Sequence, residues 1–143
     1  MRQKIYRKMS VMRPVVSNSK PLIHLAKIGL LNLLKDQFEE ITIPDAVWHE
    51  TVVEGADNND AELIRSADWI HVQKVVPSPL LNTLMLDLDP GEAETIALAA
   101  EINAQKILLD ETKARKIANG LNLNTIGTIG ILLKGLQDNK IFH

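Results

Sequence analysis

Leu88-Asp89-Pro90-Gly91-Glu92-Ala93-Glu94-Thr95-Ile96-Ala97-Leu98-Ala99-Ala100 starts a helix and loads its first turns with carboxylates. Asp89 suits the N-cap and Pro90 the first helical position. Glu92, three residues after the cap, completes a capping box. This accounts for Glu92 locally. It does not account for Glu94, which lies about 200° around the helix from Glu92 and is left over for chemistry. A second acidic step is Ile107-Leu108-Leu109-Asp110-Glu111, where an apolar run ends in two acids. A buried strand ending in a carboxylate, beside a helix that carries another, is a common construction for hard-metal sites in α/β proteins.

Outward from these two segments, apolar runs and helical patterns alternate. Val15-Val16-Ser17 reads as a short buried strand, and Pro21 opens a helix that runs through Leu22, Leu25 and Ile28 to Gly29. Helical character continues over Leu30 to Leu34. Ile41-Thr42-Ile43 is a second strand, followed by a helix from Pro44 to about Glu54. After a polar break, a short helix over Ala61 to Ala67 precedes a strand from Trp69 to Val76. Leu80 to Leu86 is helical, the capped helix follows, and Lys106 to Leu109 is a strand. A helix from Glu111 to Asn119 stops at Gly120. A brief strand near Asn124 to Ile126 leads into a last helix from Thr128 to Asp138. Such alternation predicts an α/β/α three-layer sandwich around a mainly parallel sheet. Ligands of such sheets sit outside the carboxyl ends of the strands, which here means Asn18 and Asp110. The starts of the Pro90 and Thr128 helices are expected on that same side.

The chain has 143 residues, 45% of them hydrophobic and 24% charged, which predicts one globular domain with a real core. It has no cysteine, so disulfides and thiolate metal sites are excluded and a cytoplasmic location is expected. No apolar run approaches the ~20 residues of a membrane span, and the basic N-terminus lacks the apolar core of a secretory signal. Residues 1–13 carry Arg2, Lys4, Arg7, Lys8 and Arg13 without an acid, against a net charge of −2 for the whole chain. Residues 1–12 therefore read as a basic N-terminal extension, either a nucleic-acid contact or an unordered tail, ahead of a domain over 13–143. Aromatic residues make up only 3%, which argues against a base-stacking platform. There is no Gly-rich phosphate loop, nucleophile elbow or dinucleotide fingerprint.

The segments Val15-Val16-Ser17-Asn18-Ser19-Lys20-Pro21-Leu22-Ile23, Leu88 to Ala99, Leu108-Leu109-Asp110-Glu111 with Ala114-Arg115, and Gly127-Thr128-Ile129-Gly130 occur in a telling order. In order and spacing they resemble a PIN-like domain of the small prokaryotic branch. The resemblance covers about residues 13 to 138. It implies an α/β/α sandwich, cleavage of RNA with Mg2+ or Mn2+, and the role of a ribonuclease toxin paired with a small antitoxin protein. It also implies a homodimer. Carried over position by position, the family's acidic residues fall on Asn18, Glu50, Glu94 and Asp110. Glu50, Glu94 and Asp110 are then the catalytic carboxylates, and Asn18 contributes a neutral oxygen to the metal. Ser19, Glu111 and Thr128 are secondary candidates. Two positions depart from the pattern: Asn18 is an amide, and Lys20 puts an ammonium where Ser or Thr is usual.

Each site residue also has a plainer reading. Asp110 can be the N-cap of the helix behind it, and Glu94 a favourable charge near a helix start. Glu50 can be a solvated helix residue, Glu111 a first-turn surface acid and Asn18 a turn residue. Thr128 reads as a helix cap whose hydroxyl and free amides can also hold a phosphate. His24 and His49 read as packing or surface residues. Scattered histidines and no cysteine argue against zinc. Two functions follow: a metal-dependent ribonuclease, or a PIN-like module that kept the fold, lost metal binding and acts by binding protein or RNA.

Overall fold

The computed structural model describes residues 13–141; the basic extension at 1–12 lies outside them. Five parallel strands form one sheet in the order β3-β2-β1-β4-β5. They are β1 (Val15–Ser17), β2 (Ile41–Pro44), β3 (Ile70–Gln73), β4 (Lys106–Leu108) and β5 (Thr125–Ile126). Parallel strands need long crossovers, and helices supply them. These are α1 (Ser19–Lys27), α2 (Asn32–Phe38), α3 (Asp45–Trp48), α4 (Asn59–Ser66), α5 (Pro79–Leu84), α6 (Pro90–Glu101), α7 (Thr112–Gly120) and α8 (Thr128–Gln137). The expected three-layer α/β/α sandwich is what the chain forms.

Successive residues of a strand face opposite sides of a sheet, and here each side meets its own core. Val15 and Leu108 pack with Leu22, Leu25, Leu34, Ile64 and Ile131 on one side. Val16, Ile107 and Leu109 pack with Ile96, Leu98 and several alanines on the other. Burial on both faces explains why these strands read as continuous apolar runs rather than alternating ones.

Several boundaries differ from the sequence expectation. Helix α1 begins at Ser19, two residues before Pro21, with Asn18 in the N-cap position. Strand β3 stops at Gln73; the Val76 N–H turns away to donate to Glu101 Oε1 at 3.1 Å. The helix expected from Pro44 to Glu54 is not regular. α3 runs on into a π-helical segment, His49–Val53, closed by a bond from Glu54 N to His49 O of 2.9 Å. Among the described residues no helix is long and apolar enough to cross a membrane.

Candidate active site at the carboxyl edge of the sheet

Asn18 follows directly on β1, and its N–H donates to Leu108 O at 2.9 Å. That bond carries the β1–β4 ladder one residue beyond the strand and sinks the side chain to 3% exposure. Its Oδ1 has no hydrogen-bond partner, and neither has the buried Glu50 Oε1. Buried polar atoms are rarely left without a partner, so two orphaned oxygens in one place point to something the protein itself does not supply. Both crowd Gly91 in the first turn of α6. A Cβ at Gly91 would stand 3.3 Å from Asn18 Oδ1 and would collide with Glu50 Oε1. Only glycine permits this approach of helix to carboxylate.

The capping box expected at α6 is present. Asp89 Oδ1 accepts from Glu92 N at 2.8 Å, and Glu92 Oε1 accepts from Asp89 N at 3.3 Å. This cap lies inside the electrostatics of the site. Burial raises the pKa of Glu50, and the charges of Asp89, Glu54 and Glu92 raise it further, while the nearby Ser19 hydroxyl pulls it down. Burial and Asp89 likewise raise Glu92. A hydrogen bond to the Asp89 backbone and the Lys20 ammonium lower it, while Glu111 raises it. Charges from α1, the π segment, α6 and the loop after β4 therefore meet on one edge. The Pro90 helix does open where the strand order predicts.

Asp110 is placed differently from its reading as a helix cap or open ligand. Its Oδ1 accepts from Thr128 N and its Oδ2 from Thr128 Oγ1, both at 2.6 Å. His24 Nδ1 lies 3.1 Å from Oδ2. Asp110 thus satisfies the start of α8, and Thr128 is the capped residue rather than the cap. The N-cap of α7 is Glu111, whose Oε1 accepts from Ala114 N at 3.1 Å. Gly127 leaves room for this arrangement: a Cβ there would stand 2.8 Å from Asp110 Oδ1 and 2.9 Å from Arg115 Nη1.

Glu94 also has a backbone partner. Its Oε1 accepts from Ala46 N at 3.0 Å, supplying the side-chain cap that Pro44 cannot give α3. Hence the carboxylate of α6 that shares the field of Glu50 is Glu92. Glu92, expected to serve only as a local cap, thus also lies in the field of the site, while Glu94, expected to be left over for chemistry, caps α3. Glu94→Ala should lower stability by about 1 kcal/mol, the usual cost of a lost cap. Manganese affinity should fall far less than in a Glu50 variant; urea unfolding and calorimetry on the same protein measure both.

As placed, Glu50, Glu94 and Asp110 do not form one cage. Among the described residues no three His, Cys, Asp or Glu side chains stand together in a way that could hold a metal ion. What the edge does offer is the orphaned oxygen pair of Asn18 and Glu50, with Asp89 and Glu92 adding negative potential. Oxygen donors, one neutral and one anionic, suit a hard cation that keeps several of its own waters.

Residues 14–143 match a family model, DUF3368, described as a PIN domain. The chain belongs to the PIN domain family. No curated protein sequence matches this PIN domain. Its fold is similar to that of a PilT N-terminus domain protein, SSO1118, from the hyperthermophilic archaeon Sulfolobus solfataricus P2. The TM-score is 0.62 at 22% identity, over 87% of this chain and 94% of that one. The family is nuclease-like, and PIN domains generally use divalent metal ions. The donors at Asn18 and Glu50 are compatible with such an ion.

Two residues of this edge were not legible in the sequence. His24 reaches Asp110 from one turn into α1. His49 lines a cleft of about 420 Å3 with Ala46, Glu50, Glu54, Asp89, Pro90 and Gly91. Both are surface residues, as expected, with side chains 51% and 61% exposed; what their neighbours in sequence do not report is the partner each takes, Asp110 and Glu54.

Proposed function

We propose that this PIN domain is a Mg2+- or Mn2+-dependent endoribonuclease that acts in the cytoplasm as the toxin of a toxin–antitoxin pair. The observation that carries the reading is the pair of partnerless buried oxygens, Asn18 Oδ1 and Glu50 Oε1, packed against Gly91. Asn18 and Glu50 hold the ion in this scheme. When bound, such an ion lowers the pKa of a coordinated water and neutralises charge on the phosphate. The chain's own residues do the rest. Asp89 and Glu92 keep the first turn of α6 rigid beneath the site through their reciprocal cap. Asp110 fixes the start of α8 through both Thr128 bonds, and His24 braces that carboxylate. Lys20, at the edge of the same face, offers a cation to the RNA backbone. A small antitoxin protein and a second copy of the chain are the expected partners, by family likeness.

The test is manganese binding by calorimetry at physiological salt, together with cleavage of single-stranded RNA. Asn18→Asp turns a neutral ligand into an anionic one, so manganese affinity should rise about tenfold or more. Lys20→Ser added to it should raise affinity further. Without metal, the new carboxylate faces Glu50 at close range, so the thermal midpoint of Asn18→Asp should fall and recover as manganese is added. The full engagement of Asp110 by Thr128 and the neutrality of Asn18 favour a second reading, a binding module without catalysis. If manganese at millimolar concentration binds neither the natural chain nor Asn18→Asp, that second reading stands.

A further inference from the structure

The cleft between the π segment and the start of α6 has features that the metal site does not explain. Residues five apart on an α-helix lie ~140° apart, so His49 and Glu54 would not meet on a regular helix. The π segment closes an i→i+5 ring from Glu54 N to His49 O and brings the two onto one side. There His49 Nδ1 lies 3.0 Å from Glu54 Oε2. Ala46, His49, Glu50 and Glu54 thus share a wall, facing Asp89, Pro90 and Gly91.

The chemistry of this lining selects its occupant. Three carboxylates, Glu50, Glu54 and Asp89, repel a phosphate. They accept hydrogen bonds from hydroxyl groups, and Ala46, Pro90 and Gly91 offer apolar contact. Next to a phosphodiester at Glu50, the uncharged group that fits is the sugar. His49 lines the cleft, and with Nδ1 held by Glu54 its other ring nitrogen is the one left for a ligand. A 2′-hydroxyl both donates and accepts, so it pairs with that nitrogen in either protonation state, and it is the group that separates RNA from DNA. We propose that the His49–Glu54 pair is a ribose-reading device that gives this chain its preference for RNA over DNA. The proposal rests on the nuclease reading above and names the substrate feature that the site recognises. His49 is the contacting residue, and Glu54 positions it.

The experiment uses the full chain with short fluorescent single strands of identical sequence, one RNA and one DNA. Affinity is measured with calcium in place of manganese, and KM and kcat are measured with manganese. One added hydrogen bond of ordinary net strength corresponds to about tenfold. The natural chain should therefore bind RNA about tenfold more tightly than DNA. His49→Ala should bring that ratio to within about twofold by raising the RNA KM, with kcat changed less. Glu54→Ala should give an intermediate ratio, because the ring stays but is no longer held. Both side chains are largely exposed, so neither variant endangers the fold. A ratio that survives His49→Ala, or a natural chain that cleaves both strands equally, overturns the ribose proposal and leaves the nuclease intact. A chain that neither binds nor cleaves either strand overturns both.

Discussion

Glu50→Gln should reduce manganese-dependent cleavage by more than about 100-fold while raising the thermal midpoint of the metal-free protein. Even partners outside the metal's own ligands cost about 10–100-fold when removed, and Glu50 offers the one anionic orphaned oxygen of the site. The gain in stability follows from the sign of its pKa shift. Burial, then Asp89, Glu54 and Glu92, raise Glu50 above its ordinary value of 4.5. A carboxyl raised on folding favours the folded state below that value and loses this contribution as pH rises through the folded pKa. At neutral pH the ionised group therefore works against the fold. Partial exposure screens the repulsion, so the gain is modest, about 1 kcal/mol or less, or roughly 3 °C at this chain length. It should vanish near pH 4 and grow above pH 4.5. On the proposed metal site, saturating manganese should reverse the order of the two proteins, because Glu50→Gln removes the anionic ligand. A midpoint that falls in Glu50→Gln at neutral pH would show that Glu50 is a structural partner and not a strained, waiting ligand.

Asp110→Ala should cost the fold more than any other change at this edge of the sheet. It removes both acceptors of Thr128, each at 2.6 Å, and the partner of His24. The Thr128 N–H and hydroxyl are then left at the buried start of α8, where Thr128 is 8% exposed. A lost charged cap and an orphaned hydroxyl together cost about 3 kcal/mol, on the order of 10 °C. Asp110→Asn keeps one acceptor and should lose about half as much. The Thr128→Val partner variant closes a double-mutant cycle, and the coupling should exceed 1 kcal/mol, as is found for directly bonded pairs (~0.5–3 kcal/mol). Chemical denaturation in urea measures all four proteins. Additive effects would mean that Asp110 does not hold α8. In that case a lost cleavage activity in Asp110→Ala would have to be read as lost metal binding.

Features of the fold with a local cause were legible in the sequence. Asp89, Pro90 and Glu92 announce the start of α6 within four residues, because capping is decided by neighbours. The runs at Val15 and Ile107 announce central strands because a strand buried on both faces has no polar alternation. The features that were not legible join distant residues. Glu94 to Ala46 spans 48 positions, Asp110 to Thr128 18, and His24 to Asp110 86. No periodicity reports such pairings; they exist only once the sheet order brings the helix ends to one edge. The π segment escaped for a related reason. Its sequence, His49-Glu50-Thr51-Val52-Val53, is compatible with an ordinary helix, and the insertion shows only in the bond from Glu54 back to His49.

The strand order has a consequence in time. β1 is made first yet lies at the centre, paired on one side to β2 and on the other to β4. Val15 must wait for Lys106. At ~5–20 residues per second of synthesis, that edge of β1 stays without its neighbour for about 5–20 s. During this interval β1 and β2 can pair, but the free edge of β1 presents unpaired N–H and C=O groups, and Val15 and Val16 are incompletely covered on the two faces. Newly made chain is thus sticky until β4 emerges, and its yield in a cell should depend on how quickly the ribosome traverses the codons between β1 and β4.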